Sequence, residues 1–241
     1  VDVSTASAGT ISLDAEAGAL TMAGDAHVTA TNSSARLNAY TSVTLGNVSA
    51  TNVSVVADTG AILNAAGSTK NVTATNLRLQ ADDAIGEALN HLSTNVATLT
   101  AVSTGTTTAG IYLTEDSAVT VGTVTVSVSD FSATASTSTV TDAAQSDLVA
   151  GNNGNVVLVT GGTITLNDGT DADGMAVSAN GSGSILLDAN SGNLVVNSDI
   201  VSGTGHITLK AAHDVLLGSN TATLVDVSTA SAGTISLDAE A

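Results

Sequence analysis

Residues 181–219 read GSGSILLDANSGNLVVNSDIVSGTGHITLKAAHDVLLGS, four short aliphatic runs separated by Gly, Asn, Ser and Asp. Each run alternates apolar and polar positions, the period-two pattern of a strand with one buried face. The runs also recur at a steady interval. Ile164, Ile185, Ile207 and Val227 follow one another at 21, 22 and 20 residues, and Met175, Leu194, Val215 and Ile235 at 19, 21 and 20. Two interleaved series sharing one period of about 20 residues are what a stacked coil requires, each series forming its own parallel sheet. An antiparallel sandwich has no reason to lock the two intervals together. No apolar helical face of useful length occurs, which removes helix-pair and leucine-rich repeats. The sequence therefore predicts an all-β fold, a parallel β-helix (β-solenoid) with coils of about 20 residues.

Working outward, the run ends on a copy of the chain's own beginning. Residues 225–241, VDVSTASAGTISLDAEA, repeat residues 1–17 letter for letter at an offset of 224. Unconstrained copies diverge, so identity of this length marks a recently amplified or homogenised array. Residues 1–224 are read as one full tandem repeat and 225–241 as the start of the next, a window onto a longer array. At a spacing of ~4.8 Å per coil, about 11 coils per repeat give a unit ~50 Å long. The same strand form recurs at 9–14, 18–24, 52–58, 76–82 and 162–168. Asn167, Asp188 and Asn197 close strands, where they can stack on equivalents and satisfy turn amides. The middle is less regular. VGTVTVSVS (121–129) is a strand by alternation, with Phe131 as its cap. Residues 130–154 read as an irregular excursion, a hairpin leaving the coil. DDAIGEALNHL (82–92) is the one candidate for a short helical turn.

Composition agrees with this fold. Hydrophobic residues make up 43% of the chain but aromatics only 1%, so Ala, Val, Ile and Leu must fill a narrow interior. Pro and Cys are absent. A strand paired on both sides must supply every N–H, and proline cannot. With four basic residues against 22 acidic ones, the net charge is −18. That balance argues against nucleic acid and anionic membranes as partners, because both require cationic patches. No run approaches the ~18 apolar residues of a membrane span. Cysteine-free, lysine-poor, Thr/Ser-rich composition fits a secreted bacterial protein at the cell surface or outside it, and no signal peptide is seen in this window.

Asn180 to Ala241, carried by GSGSILLDANSGNLVVNSDIVSGTGHITLKAAHDVLLG and the join into VDVSTASAGTISLDAEA, resembles the large repetitive surface proteins related to filamentous-haemagglutinin-type adhesins. Residues 82–122 likewise look like segments recurring in giant bacterial β-solenoid proteins. The resemblance covers about half of the chain. It implies a secreted, fibre-like protein concerned with adhesion or cell-surface structure.

Candidate chemistry is sparse. The densest acidic turn runs from Asn167 to Gly174 and holds Asp168, Asp171 and Asp173. Several oxygen ligands in one loop suit Ca²⁺, which takes six to eight of them. These three aspartates are the candidate metal ligands, although a solvated turn is the competing reading. Neither the EF-hand frame nor the GGxGxDxUx calcium pattern is met, and Asp82-Asp83 makes a weaker case of the same kind. His206 and His213 flank one strand with no third ligand for zinc. No GxSxG elbow occurs, and three aromatics with four bases do not furnish a sugar-cleaving groove, so no catalytic residue and no cofactor other than Ca²⁺ are expected. Five N-x-[ST] sequons, beginning at Asn32, Asn47, Asn52, Asn71 and Asn180, follow from the composition. The expected role is a structural repeat of an extracellular fibre whose partners are further copies of itself, in the same chain or side by side. The rival is an adhesin repeat that binds a host, a glycan or a neighbouring cell through the 130–154 excursion.

Overall fold

The computed structural model describes residues 1–105, 109–218 and 224–240. Parts of the stretches read above at 82–122 and 181–219, and Ala241 of the second copy, lie outside them. The described chain is all-β. Nineteen strands join in one large sheet, and every pairing in it is parallel. The helical turn expected at 82–92 is absent. Ile85 instead bridges Ile62 and Ile111, and Glu87 and Asn90 close a tight turn.

Parallel pairing runs along columns of equivalent positions. One column climbs through Val3, Val28, Val48 and Val72 to Thr94, Glu115 and Thr160. A second takes Leu13, Leu37, Val55, Leu79 and Ala101, then Leu148, Val177, Ile200 and Val227. A third starts at Leu20, Val43 and Ile62 and passes through Ile85 to Ile111. The first and third then share one strand, Gly110–Glu115, which is followed by Asn155–Thr160, Ile185–Ala189, Ile207–Ala211 and Ile235–Ala239.

The register corrects the sequence reading in two ways. Steps between partners range from 18 residues (Leu37 to Val55) to 30 (Ile164 to Leu194), and reach 47 across the excursion (Ala101 to Leu148), rather than holding near 20. The two interleaved series are also not the true columns. Ile185 does pair with Ile207, and Leu194 with Val215, but Ile164 stacks on Leu194 and Ile207 on Ile235. The connecting turns absorb different numbers of residues, so a constant spacing in sequence is not a constant register in space.

Inside, the apolar half of each alternation is buried. Leu92, Leu113, Leu158, Leu187 and Leu209 are at most 0% exposed and lie in register on one another. Each contributes about 1.5–3 kcal/mol by leaving water. Where the chain bends inward there is room only for small groups, and the column Ala39, Ala57, Ala81, Ser103, Ala150, Ala179, Ser202 fills that corner. Another close approach selects glycine. A Cβ on Gly183 would overlap the Gly154 carbonyl oxygen, and one on Gly205 the Gly183 oxygen. Polar stacking occurs as expected at Asn197, whose Nδ2 donates to Asn167 Oδ1 at 2.9 Å, and again where Asn76 donates to Asn52.

The excursion is an antiparallel hairpin, Val124–Phe131 with Thr137–Gln145, with one register shift between Val124 and Val126, and it is displaced from the 130–154 range. From Leu148 the chain is back in the parallel sheet. The hairpin lies back across the sheet, its first strand touching the strands that contain Leu99, Leu77, Val53, Leu37 and Leu13. Val124, Val126 and Val128 are buried beneath it. Two of the four basic residues serve this contact. Arg36 Nε donates to both Asp142 carboxylate oxygens at 3.0 and 3.1 Å, and Arg78 Nε donates to the Ala143 carbonyl at 3.1 Å. Burial under the hairpin pushes the Arg78 guanidinium below its ordinary pKa, with Asp142 pulling the other way. Phe131 does not cap the strand; it sits 70% exposed at the hairpin tip.

Candidate cation site

The acidic turn does not act alone. Asp171 and Asp173 are brought against Asp147, the second of the two residues between the end of the hairpin and Leu148–Ala150, so that one carboxylate oxygen from each lies within 4.8 Å of the others. Asp147 is only 2% exposed, and its Oδ1 has no hydrogen-bond partner. Its backbone is held at φ +67°, in the left-handed region, by two bonds to its carbonyl oxygen: Thr100 Oγ1 donates at 3.0 Å and Ala101 N at 2.9 Å. Asp171 and Asp173 are exposed and open onto a cleft with Gln145 and Thr170. Asp173 Oδ1 also accepts from Met175 N at 2.8 Å, which shapes the loop.

Burial and then the charges of Asp171, Asp173 and Asp168 raise the Asp147 carboxyl to a pKa of about 8. No base offsets them. The ion pairs among the described residues are Arg36 with Asp14 and Asp142, and Lys70 with Asp116. Asp168, expected as a ligand, stands apart and lines a neighbouring cleft with Asn197, Ser198 and Asp199. Sequence reasoning missed Asp147 because it is 24 residues from Asp171; only the register of Leu148 on Val177 brings the two segments together. Asp82 and Asp83 are not part of this cluster.

The histidines are dispersed. His206 Nδ1 lies 2.9 Å from Thr234 Oγ1 and His91 Nδ1 3.1 Å from Thr114 Oγ1, and among the described residues neither belongs to a metal-ligating group. Among those residues no helix is long and apolar enough to cross a membrane. No family model, curated protein or solved structure matches the chain.

Proposed function

We propose that the chain is a three-sided β-solenoid unit of a stiff, secreted bacterial fibre of the filamentous-haemagglutinin-like kind, with units stacking end to end. One observation carries this reading. The second copy of the opening sequence adds directly to the strands that precede it: Val227–Thr229 pairs with Ile200–Ser202, and Ile235–Ala239 with Ile207–Ala211. In the first copy the same residues pair forward, Asp2–Thr5 with His27–Ala30 and Ile11–Ala15 with Ala35–Ala39. A parallel strand has two edges, and these are pairings on opposite edges, so both can be made at once.

A glycine supports the same reading. A Cβ on Gly233 would strike the Thr229 hydroxyl of its own copy and the Gly205 carbonyl oxygen, whereas at Gly9, its copy, a Cβ meets only the side chain of Thr5, at 3.2 Å. The backbone clash at this position comes from the unit below.

The copies do not occupy the same side of the solenoid. Val3 belongs to the first column, but its copy Val227 belongs to the column of Leu13. Ile11 pairs with Ala35, but its copy Ile235 stands over Ile207 and Ile111, in line with Leu20. One unit therefore makes about eight and a third turns, rising ~40 Å at ~4.8 Å per turn. Each unit is rotated by about one face, a third of a turn, from the last. The hairpin reaches past the first turn of its own unit, since Ser129 N donates to Thr10 Oγ1 at 2.8 Å and residues 130–137 lie beyond. In the stack, Phe131 rests on the preceding unit and staples the junction. This use of the hairpin favours the structural reading over the adhesin one, because its long face is spent on its own chain. The reading assigns no catalytic role.

Electron microscopy of chains with one, two and three units tests it. Rods lengthening by ~40 Å per unit, with hairpin density turning by about 120° each time, are expected from the register. Compact beads, one per unit, would overturn the proposal.

A further inference from the structure

We infer that Asp147, Asp171 and Asp173 form a calcium site that ties the base of the hairpin to the loop at 167–174. Three carboxylate oxygens within 4.8 Å of one another match what one ion can span, since Ca²⁺ holds oxygens at about 2.3–2.6 Å and opposed ligands are then up to ~5 Å apart. The acidic turn alone would not make a site. The second observation is the buried partner, Asp147, whose Oδ1 is left without a donor although the residue is 2% exposed. A buried carboxylate that has two others within 4.8 Å and no base beside it needs a cation or a proton to offset its desolvation.

The donor set selects the ion. All three ligands are hard oxygens, and no nitrogen or sulfur ligand joins them, which disfavours zinc and copper. Mg²⁺ demands near-ideal octahedral geometry at about 2.0–2.1 Å and sheds water reluctantly. Two of the three aspartates sit on an exposed loop open to a cleft, which leaves water free to complete the irregular shell that Ca²⁺ accepts. Asp147 is immobilised through its carbonyl by Thr100 and Ala101, so the site has one fixed ligand and two from a loop. An ion there joins two segments that follow successive turns of chain, and the loop gains a fixed position. The proposal is independent of whether units stack.

The test is calorimetric titration of the EDTA-treated 241-residue chain with CaCl₂ at pH 7.5 in 0.15 M KCl, paired with thermal melts. One saturable site with a Kd of roughly 10⁻⁴–10⁻³ M, as for other loosely preorganised calcium modules, and a higher melting midpoint are expected. Asp147→Asn abolishes the saturable phase, and so does the double variant Asp171→Asn/Asp173→Asn. The double variant alters only exposed positions, so the fold survives it and the result stays interpretable if Asp147→Asn unfolds. Asp168→Asn retains the site. Absence of saturable uptake by the native chain means that a proton alone neutralises the cluster and overturns the proposal. Equal uptake by the native chain and the double variant means diffuse attraction to the acidic surface and overturns it as well.

Discussion

Glu115 is the sharpest test of how the interior tolerates charge. It ends the strand Gly110–Glu115, is 1% exposed, and has no basic partner among the described residues. Its carboxylate instead accepts four hydrogen bonds. Oε2 takes Thr94 Oγ1 at 2.7 Å and Val96 N at 3.0 Å, and Oε1 takes Ser117 N at 3.0 Å and Ser117 Oγ at 2.9 Å. Each oxygen thus receives one hydroxyl and one backbone amide. Glu115→Gln keeps the shape but turns one oxygen into an NH₂. The hydroxyls can rotate to accept from it; the amide of Val96 or Ser117 cannot. One buried N–H is then orphaned at about 1–3 kcal/mol, and the remaining bonds lose their charge assistance. The expected loss is about 2–4 kcal/mol, read as a lower midpoint in urea unfolding followed by far-UV circular dichroism, with Glu87→Gln, at an exposed turn, as the silent control. A change under ~0.5 kcal/mol for Glu115→Gln would refute the claim that its four donors hold the turn.

Three further outcomes follow from the same structure. Leu158→Ala, between Leu113 and Leu187 in the buried column, should cost about 3–5 kcal/mol in urea unfolding, because parallel ladders on both sides keep the cavity from collapsing. Gly183→Ala should destabilise the chain by about 1–3 kcal/mol through overlap with the Gly154 oxygen, while Gly9→Ala, with no carbonyl in its way, stays near neutral in the same assay. In EDTA, stability should fall as pH rises from about 4 to about 8. The folded state holds a proton on Asp147, at a pKa of about 8, that the unfolded chain releases near its ordinary 3.8. The extra stability is full below the lower value and gone above the upper one, with a slope approaching ~1.4 kcal/mol per pH unit that Asp147→Asn removes. A pH-independent native chain would show that the cluster does not hold this proton.

Much of the architecture was legible before any coordinates. Alternation in ILLDA, NLVVN and HITLK marked which side chains point inward, because that depends only on the two-residue period of a strand. The absence of proline pointed to paired strands and the shortage of aromatics to an aliphatic core, and the described residues form a large parallel sheet with an aliphatic buried face. The exact copy of residues 1–17 at 225–241 is visible with no help from structure.

Register was decided only in three dimensions. Which strand lies on which depends on the length of every intervening turn, and turns here absorb from a few residues to a whole hairpin, so Ile164 meets Leu194 rather than Ile185. The same cause hid the buried aspartate of the cation site. Asp171 and Asp173 were visible as a dense acidic loop, but Asp147 joins them through the stacking of Leu148 on Val177. Glu115 gave no local signal either, since its donors come from Thr94 and Val96 on the preceding turn as well as from Ser117. The sequence by itself determined the direction each side chain faces, because that is set by its immediate neighbours along the chain. The tertiary structure decided which side chains meet, because that is the accumulated sum of every loop between them.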